Sequence, residues 1–406
     1  MFRAATHPFI SFEFNSRDLQ PMTWLKLGEA MSKCEHLSGY PLKPAAAAAM
    51  SRVHLARGVH ATTAIEGNTL TQEDAERLVS GKKSGVPPSR QYQEQELQNI
   101  LEAIGLLDQA LASGQRLPIN VERLCQLNDL ILRKTPQPPE VRPGTLRTHE
   151  VGVNRYRAPA WGDVPGLLES FVGWIDQVRW SGEDSRESRF FAAVLAAILA
   201  HLYIAWIHPF GNGNGRLARL IEVQILSESG VIPMVATNVL SNHYNLTREA
   251  YYQALDMARE DVLHFVVYSL DGFLDGLRAQ VAFLRDQSLQ VHWESYVHEI
   301  FSTQPNTDAR SRQRRLALAM PQSPVTPEEA TELNTKLAKL YAQAGERTPA
   351  RDLNDLSKLG LVVKVGARKY RSNASIMEAF IPPVAWEPGA DGQKSHPRPS
   401  DQESLF

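Results

Sequence analysis

The chain has 406 residues, 43% of them hydrophobic and 22% charged. That is the balance of an ordinary folded protein, with enough chain for two or three cores. Lys plus Arg number 43 against 45 Asp plus Glu, which excludes a chain-wide basic field for nucleic acid and leaves room only for a local one. Two cysteines, Cys34 and Cys125, exclude a disulfide scaffold and speak against a cysteine-based zinc site. They read as small buried hydrophobes in a reducing compartment.

In chain order, the first eighteen residues lack the continuous apolar stretch of a secretory leader, so the expected location is cytoplasmic. Pro44 opens a run of good helix formers that continues to about Ile65 and stops at Gly67. Thr71, with Asp74 three residues on, is a capping-box start. Residues 81–90 read as a loop. The segment from Gln91 has a clear apolar face, and Asn120 is a good N-cap for the helix after it. Residues 135–144 carry too much proline for a helix. Residues 146–161 alternate weakly around Gly152 and Asn154 and read as a short β-hairpin. Helical patterns resume at Val164 and run to about Phe301. Within them, Phe190–Ile207 is long and apolar enough to raise the question of a membrane span. His201 interrupts it and a polar Gly/Asn loop follows, so it is expected as a buried central helix, with no membrane partner.

The last hundred residues change character. Arg310, Arg312, Arg314 and Arg315 read as a charged linker surface. A helix is expected from Pro327 to Gly345, another from Pro349 to Leu359, then strand, glycine turn and strand over Leu361–Asn373. Helix, turn, helix, hairpin is the order of a winged helix. Within 347–371, Arg347, Arg351, Lys358, Lys364, Arg368, Lys369 and Arg371 are candidates to face DNA phosphates, while Asp352 and Asp355 oppose that reading. Residues 386–406 are polar and rich in Pro and Gly, as a disordered tail would be.

The residues that carry chemistry lie at 208–219, HPFGNGNGRLAR. A histidine leaves an apolar helix, a glycine-rich turn follows, and a new helix begins. Gly211, Gly213 and Gly215 let backbone N–H groups converge without β-carbons in the way. They deliver into a helix N-terminus, whose free N–H groups and dipole favour an anion. Arg216 and Arg219 are three apart on the first turns, and two guanidiniums there suit a polyphosphate better than one carboxylate. Beside them, a neutral His208 could take a proton from an incoming hydroxyl.

This stretch resembles the signature loop of the Fic (filamentation induced by cyclic AMP) family, H-x-F-x-[D/E]-G-N-G-R-x-x-R. HLYIAWI before it, and YYQAL and EDVLHFVVYSL after it, resemble the flanking segments, so the likeness spans about 45–290. It implies a mainly α fold: a Fic-type helical bundle with an inserted β-hairpin flap, joined here to a C-terminal winged helix. The expected layout is 1–45 an N-terminal segment, 46–290 the Fic domain with an inhibitory helix near 50–67, 291–385 the winged helix and 386–406 the tail.

The activity implied is transfer of AMP from ATP, with Mg²⁺ or Mn²⁺, to a Ser, Thr or Tyr hydroxyl of a protein. By the same resemblance His208 is the general base and Phe210 the buried loop anchor. Gly211, Gly213, Asn214 and Gly215 hold phosphate oxygens, Arg216 the inner phosphates and Arg219 the γ-phosphate. Tyr251 and Tyr252 lie near the adenine. One position departs: Asn212 stands where the family has the acidic metal ligand. TTAIEGN at 62–68 resembles the family's inhibitory motif, in which Thr62, Glu66 and Gly67 end a helix and Glu66 pairs with Arg219. The flap at 146–161 would clamp a target by strand addition. Self-modification and a homodimer are further expectations. Two alternatives stay open: a DNA-binding regulator with a nucleotide-sensing Fic site, and a hydrolase that removes AMP with Glu66.

Overall fold

The computed structural model describes residues 6–42, 44–83, 85–153, 155–181 and 185–378. The expected tail at 386–406 and Asn154 of the expected hairpin lie outside the described residues. The chain divides into two compact units, Met1–Leu284 and Arg285–Phe406.

Unit 1 is helical. In order it carries α1 (Pro21–Gly39), α2 (Pro44–Ala64), α3 (Gln72–Val79), α4 (Gln91–Ala112) and α5 (Val121–Leu132). A two-residue hairpin follows, β1 (Gly152–Val153) and β2 (Tyr156–Arg157). Then come α6 (Val164–Trp180), α7 (Arg186–Ile207), α8 (Asn214–Glu228), α9 (Val239–Leu246), α10 (Arg248–Met257) and the first half of α11 (Leu263–Ser302). Local signals set the starts. The Thr71 capping box opens α3 and the Asn120 side chain caps α5, accepting from Arg123 N. The Ser185 hydroxyl caps α7 by accepting from Ser188 N.

The apolar segment is the axis of this unit. α7 packs between α6 and α8, and from Phe190 to Ile207 every side chain except Phe191 and Ala205 is buried. Of its most apolar stretch, 89% lies inside the fold, which accounts for its composition. Each large aliphatic or aromatic side chain placed there contributes about 1.5–3 kcal/mol. The first 45 residues are part of the same unit. Leu27, Ala30 and Cys34 of α1 are buried in its core, and Phe9 and Phe12 pack on Trp206 and Tyr203.

α8 is buried along its length despite seven polar or charged side chains. Burying charge is costly unless it is paired, and each charge has a partner. Arg216 meets Glu96, Arg219 meets Glu66, Glu222 accepts from Tyr244, and Glu228 meets Arg179. α8 is therefore held in one rotation by polar contacts as much as by apolar ones.

Unit 2 carries α12 (Asp308–Ala319), α13 (Pro327–Glu332), α14 (Thr335–Ala342) and α15 (Thr348–Lys358). The antiparallel pair β3 (Val362–Lys364) and β4 (Tyr370–Ser372) follows, and Val325 bridges to Tyr370. Leu316, Leu337, Leu353, Leu356, Leu361 and Tyr370 form its core. Two expectations are corrected. The helix from Pro327 to Gly345 is two helices, because the Asn334 side chain accepts from Leu337 N and starts a new one. The basic stretch is no linker but α12, where Arg312 and the buried Gln313 both donate to Asp352.

Candidate active site

His208 ends α7 in the left-handed region, φ +48°. Its N–H still donates to Ile204 O at 2.9 Å. A non-glycine residue there stores strain, and the fork of Arg147 holds it. Arg147 is 3% exposed. Its Nε donates to His208 O at 2.8 Å, Nη1 to His149 O at 3.0 Å and Nη2 to Pro159 O at 2.5 Å. Its backbone N–H donates to Pro209 O at 3.0 Å. One side chain thus fastens the hairpin segment to the catalytic-loop candidate. Tyr156, on β2, adds a bond from its hydroxyl to Trp206 O at 2.5 Å.

The imidazole is half-buried, and its Nδ1 lies 3.3 Å from Ala205 O. Burial pushes its pKa down to about 4, against that hydrogen bond and with help from the nearby Arg147 charge. At neutral pH the ring is uncharged. A ring nitrogen facing a carbonyl must carry the proton, so Nδ1 is the N–H and Nε2 the basic nitrogen.

The loop itself is closed by Asn214. Its Oδ1 accepts from Phe210 N at 2.9 Å and its Nδ2 donates to Phe210 O at 2.8 Å. One N–H of the Asn214 amide and one lone pair of its oxygen shape the loop, and the second N–H is left over for a ligand. Phe210 is buried as its anchor. Gly213 adopts φ +82°, which a side chain would strain, and its β-carbon would crowd Asn128 and Leu132. Asn128, itself buried, donates to Asn212 O at 2.9 Å. A β-carbon at Gly211 would press on Val141 and His149.

Beyond the loop stand the two arginines. Arg216 Nη1 donates to Glu96 Oε1 at 3.1 Å, while Asn68 Nδ2 holds the other Glu96 oxygen at 2.8 Å. Arg219, 1% exposed, donates from Nε to Thr62 Oγ1 at 2.7 Å and from Nη2 to Thr62 O at 2.9 Å and Glu66 Oε1 at 2.5 Å. The α2 end carrying Thr62 and Glu66 is finished by Gly67 at φ +95°, and Arg248 donates to Ala64 O there. Burial opposes ionisation of Glu66, but Arg219 and Arg216 more than offset it and leave its carboxyl below the usual range. A β-carbon on Gly215 would overlap Glu66 Oε1, so glycine at 215 is what lets the carboxylate come this close. Arg216 Nε and Arg219 Nη1 are buried donors without a hydrogen-bond partner, free valences for an anion.

The structure thus brings His208, the loop, Arg216, Arg219, Thr62 and Glu66 to one place, and two expectations change there. Tyr251 is a core residue, with its hydroxyl 2.9 Å from His201 Nε2 and its ring among Tyr244 and Phe265. Tyr252 is half-buried beside it and is the one of the pair left open to a ligand. The metal implied by the family likeness does not fit position 212. Asn212 Oδ1 already accepts from Gly213 N and Arg216 Nη2, and no group of three His, Cys, Asp or Glu side chains clusters among the described residues. Sequence reasoning also missed Arg147, Glu96, Asn128 and Gln137.

Residues 118–226 match the model of the Fic/DOC family. The protein adenylyltransferase Fic of Drosophila ananassae is 26% identical over 214 residues, 52% of this chain and 39% of that protein. Protein adenylyltransferase fic-1 of Caenorhabditis briggsae is 29% identical over 213 residues, 52% of this chain and 38% of that protein. The chain thus spans about two fifths of the length of these curated relatives. Among solved structures, a Fic family protein from Desulfovibrio desulfuricans G20 is 20% identical with a TM-score of 0.53, covering 87% of this chain and 96% of that one. Fic-1 from C. elegans is 22% identical with a TM-score of 0.51, covering 66% of this chain and 74% of that one; at such identities the likeness shows the fold. Glu66 lies outside the matched stretch and Arg219 inside it. The glycine-rich entrance to α8 and the histidine before it lie inside the segment that matches the Fic/DOC family, residues 118–226, and the helical fold around them is shared with Fic proteins of known structure.

Proposed function

We propose that the chain is a protein adenylyltransferase held in check by its own Glu66. The observation that carries this is the convergence of a neutral histidine and two arginines on one helix entrance, with a carboxylate seated on the outer arginine. The names of the curated relatives support the same activity.

In this reading a Ser, Thr or Tyr hydroxyl oxygen attacks the α-phosphorus of ATP. A new P–O bond forms, the bond to the α–β bridging oxygen breaks, and pyrophosphate leaves. The hydroxyl proton passes to Nε2 of His208. The loop N–H groups and the α8 N-terminus meet the charge that spreads over the phosphoryl oxygens. Arg216 steadies the inner phosphates, and Arg219, once released by Glu66, takes the terminal one. The target lies along the hairpin at 146–161, whose base Arg147 ties to His208.

The test is transfer of label from α-labelled ATP to any protein, this chain included. His208→Ala is expected to remove it, a loss of about 10²–10⁴-fold for a missing general base. Because burial holds His208 near 4, the basic form persists through neutrality. The acid limb of the rate is therefore expected well below pH 6, and a limb near 6.5 would count against His208 as the base.

A second activity, in unit 2, is favoured by where Asp352 goes. Asp352 is 1% exposed and accepts from Arg312, Gln313 and Tyr341. It is therefore turned away from exposed Arg347 and Arg351 at the start of α15 and from exposed Lys364 and Lys369 on the hairpin, whereas Lys358 pairs with Asp355 and Arg368 with Glu328. The element order matches a winged helix, and this face suits duplex DNA. Gel shifts should show binding that weakens by orders of magnitude between about 50 and 200 mM salt. Arg351→Ala should reduce the salt slope by about one. Binding that ignores salt, or no binding, removes this reading.

A further inference from the structure

The hydrogen bonds around residue 212 form a chain whose direction is fixed at every link. The Thr135 hydroxyl donates to Leu132 O at 2.7 Å, so its oxygen accepts from Gln137 Nε2 at 2.8 Å. Gln137 therefore presents Oε1, which accepts from Asn212 Nδ2 at 2.8 Å. That leaves Asn212 Oδ1 facing the Gly213 N–H at 2.7 Å, a group that can only donate, with Arg216 Nη2 at 3.3 Å. Every link reads an amide at 212. An aspartate would set a carboxylate oxygen against Gln137 Oε1.

Mg²⁺ takes hard oxygen ligands in a tight octahedron at about 2.0 Å and favours carboxylates. Here the single oxygen on residue 212 is neutral, and both its lone pairs are engaged. Glu96, the carboxylate that shares Arg216 with Asn212, has one oxygen on Arg216 and the other on Asn68. A dication at Oδ1 would also stand beside the Arg216 guanidinium, which already occupies that oxygen. Arg216 keeps its buried Nε unpartnered.

We propose that this site binds the phosphate chain of its nucleotide without a divalent ion, and that Arg216, oriented by Asn212 and Glu96, occupies the place where a metal would sit. The proposal rests on the nucleotide reading above and narrows it: the ligand is the uncomplexed polyphosphate, and the wiring from Thr135 to Asn212 is the determinant.

The experiment is calorimetric titration of the full chain with ATP, once in EDTA and once in excess Mg²⁺, for the wild type and for Asn212→Asp. The substitution is isosteric and keeps an acceptor for the Gly213 N–H, though it loses the bond to Gln137, and circular dichroism of the variant checks that the fold is kept. Wild-type affinity is expected to be no more than about twofold tighter with Mg²⁺, whereas Asn212→Asp tightens by about tenfold or more, since it restores a carboxylate ligand. A wild-type gain of about tenfold on adding Mg²⁺ would overturn the proposal while leaving the nucleotide reading intact. Indifference of Asn212→Asp to Mg²⁺ would overturn residue 212 as the determinant. No heat of ATP binding in any arm would overturn the nucleotide reading itself, and this inference with it.

Discussion

Replacing Glu66 by glycine is expected to raise AMP transfer by roughly 10- to 100-fold, the range of an ordinary coupling between an internal lock and a site. The reason is specific. Arg219 has three hydrogen bonds to the end of α2, two to Thr62 and one to Glu66. Only the Glu66 bond carries a counter-charge. Removing it frees a buried guanidinium whose Nη1 already lacks a partner, and that group then gains most from a phosphate. Gly215→Ala also evicts the carboxylate, because its β-carbon would overlap Glu66 Oε1, but it crowds Arg219 as well and is expected to gain less. Both variants should gain activity, and His208→Ala should erase the gain in each. A fall in transfer with Glu66→Gly, accompanied by loss of AMP removal from a labelled protein, would instead assign Glu66 a hydrolytic role.

The second large effect concerns stability. Arg147→Ala deletes the buried fork that holds carbonyls of Ile207, His208, His149 and Pro159. Leaving such acceptors buried and unpaired is expected to cost about 3–5 kcal/mol. For a unit of this size that is a fall in Tm of about 6–20 °C. Thermal unfolding followed by circular dichroism checks it. Arg147→Lys should recover little, since an ammonium cannot span four carbonyls as the planar fork does. A Tm within a degree or two of wild type would mean the hairpin segment and the loop hold themselves.

The contrast between Arg219 and Arg147 shows what is readable in a sequence. His208, the three glycines, Arg216 and Arg219 fall within twelve residues, and Thr62 and Glu66 are one helical turn apart. Short spacing maps onto one helix face or one turn, so pattern alone assembles that half of the site. Arg147 acts across 61 positions on His208, Glu96 across 120 on Arg216, and Asn128 across 84 on Asn212. Nothing local marks those residues, because their partners are created by the packing of α4, α5 and α8. Asn214 holds a local role that its sequence does not announce. Its place in a glycine-rich loop suggests a ligand contact, and its amide also pairs with the Phe210 backbone at both ends. Asn334 is the same lesson in unit 2: an asparagine inside an apolar period is a weak signal, yet its cap divides one expected helix into two.

The burial of α7 also has a consequence for how the chain is made. Its apolar window has a mean hydropathy of 2.2, enough to engage membrane-insertion machinery by composition. Its partner α6 is synthesised before it, but α8 follows and ends at Glu228. Translation of about twenty further residues takes roughly 1–4 s at 5–20 residues per second. For that interval one side of the helix has no native cover. The polar His201, later sealed against Glu222 and Tyr251, is then an unpaired group at the helix's apolar centre. It weighs against insertion into lipid while the cover of the helix is still being made.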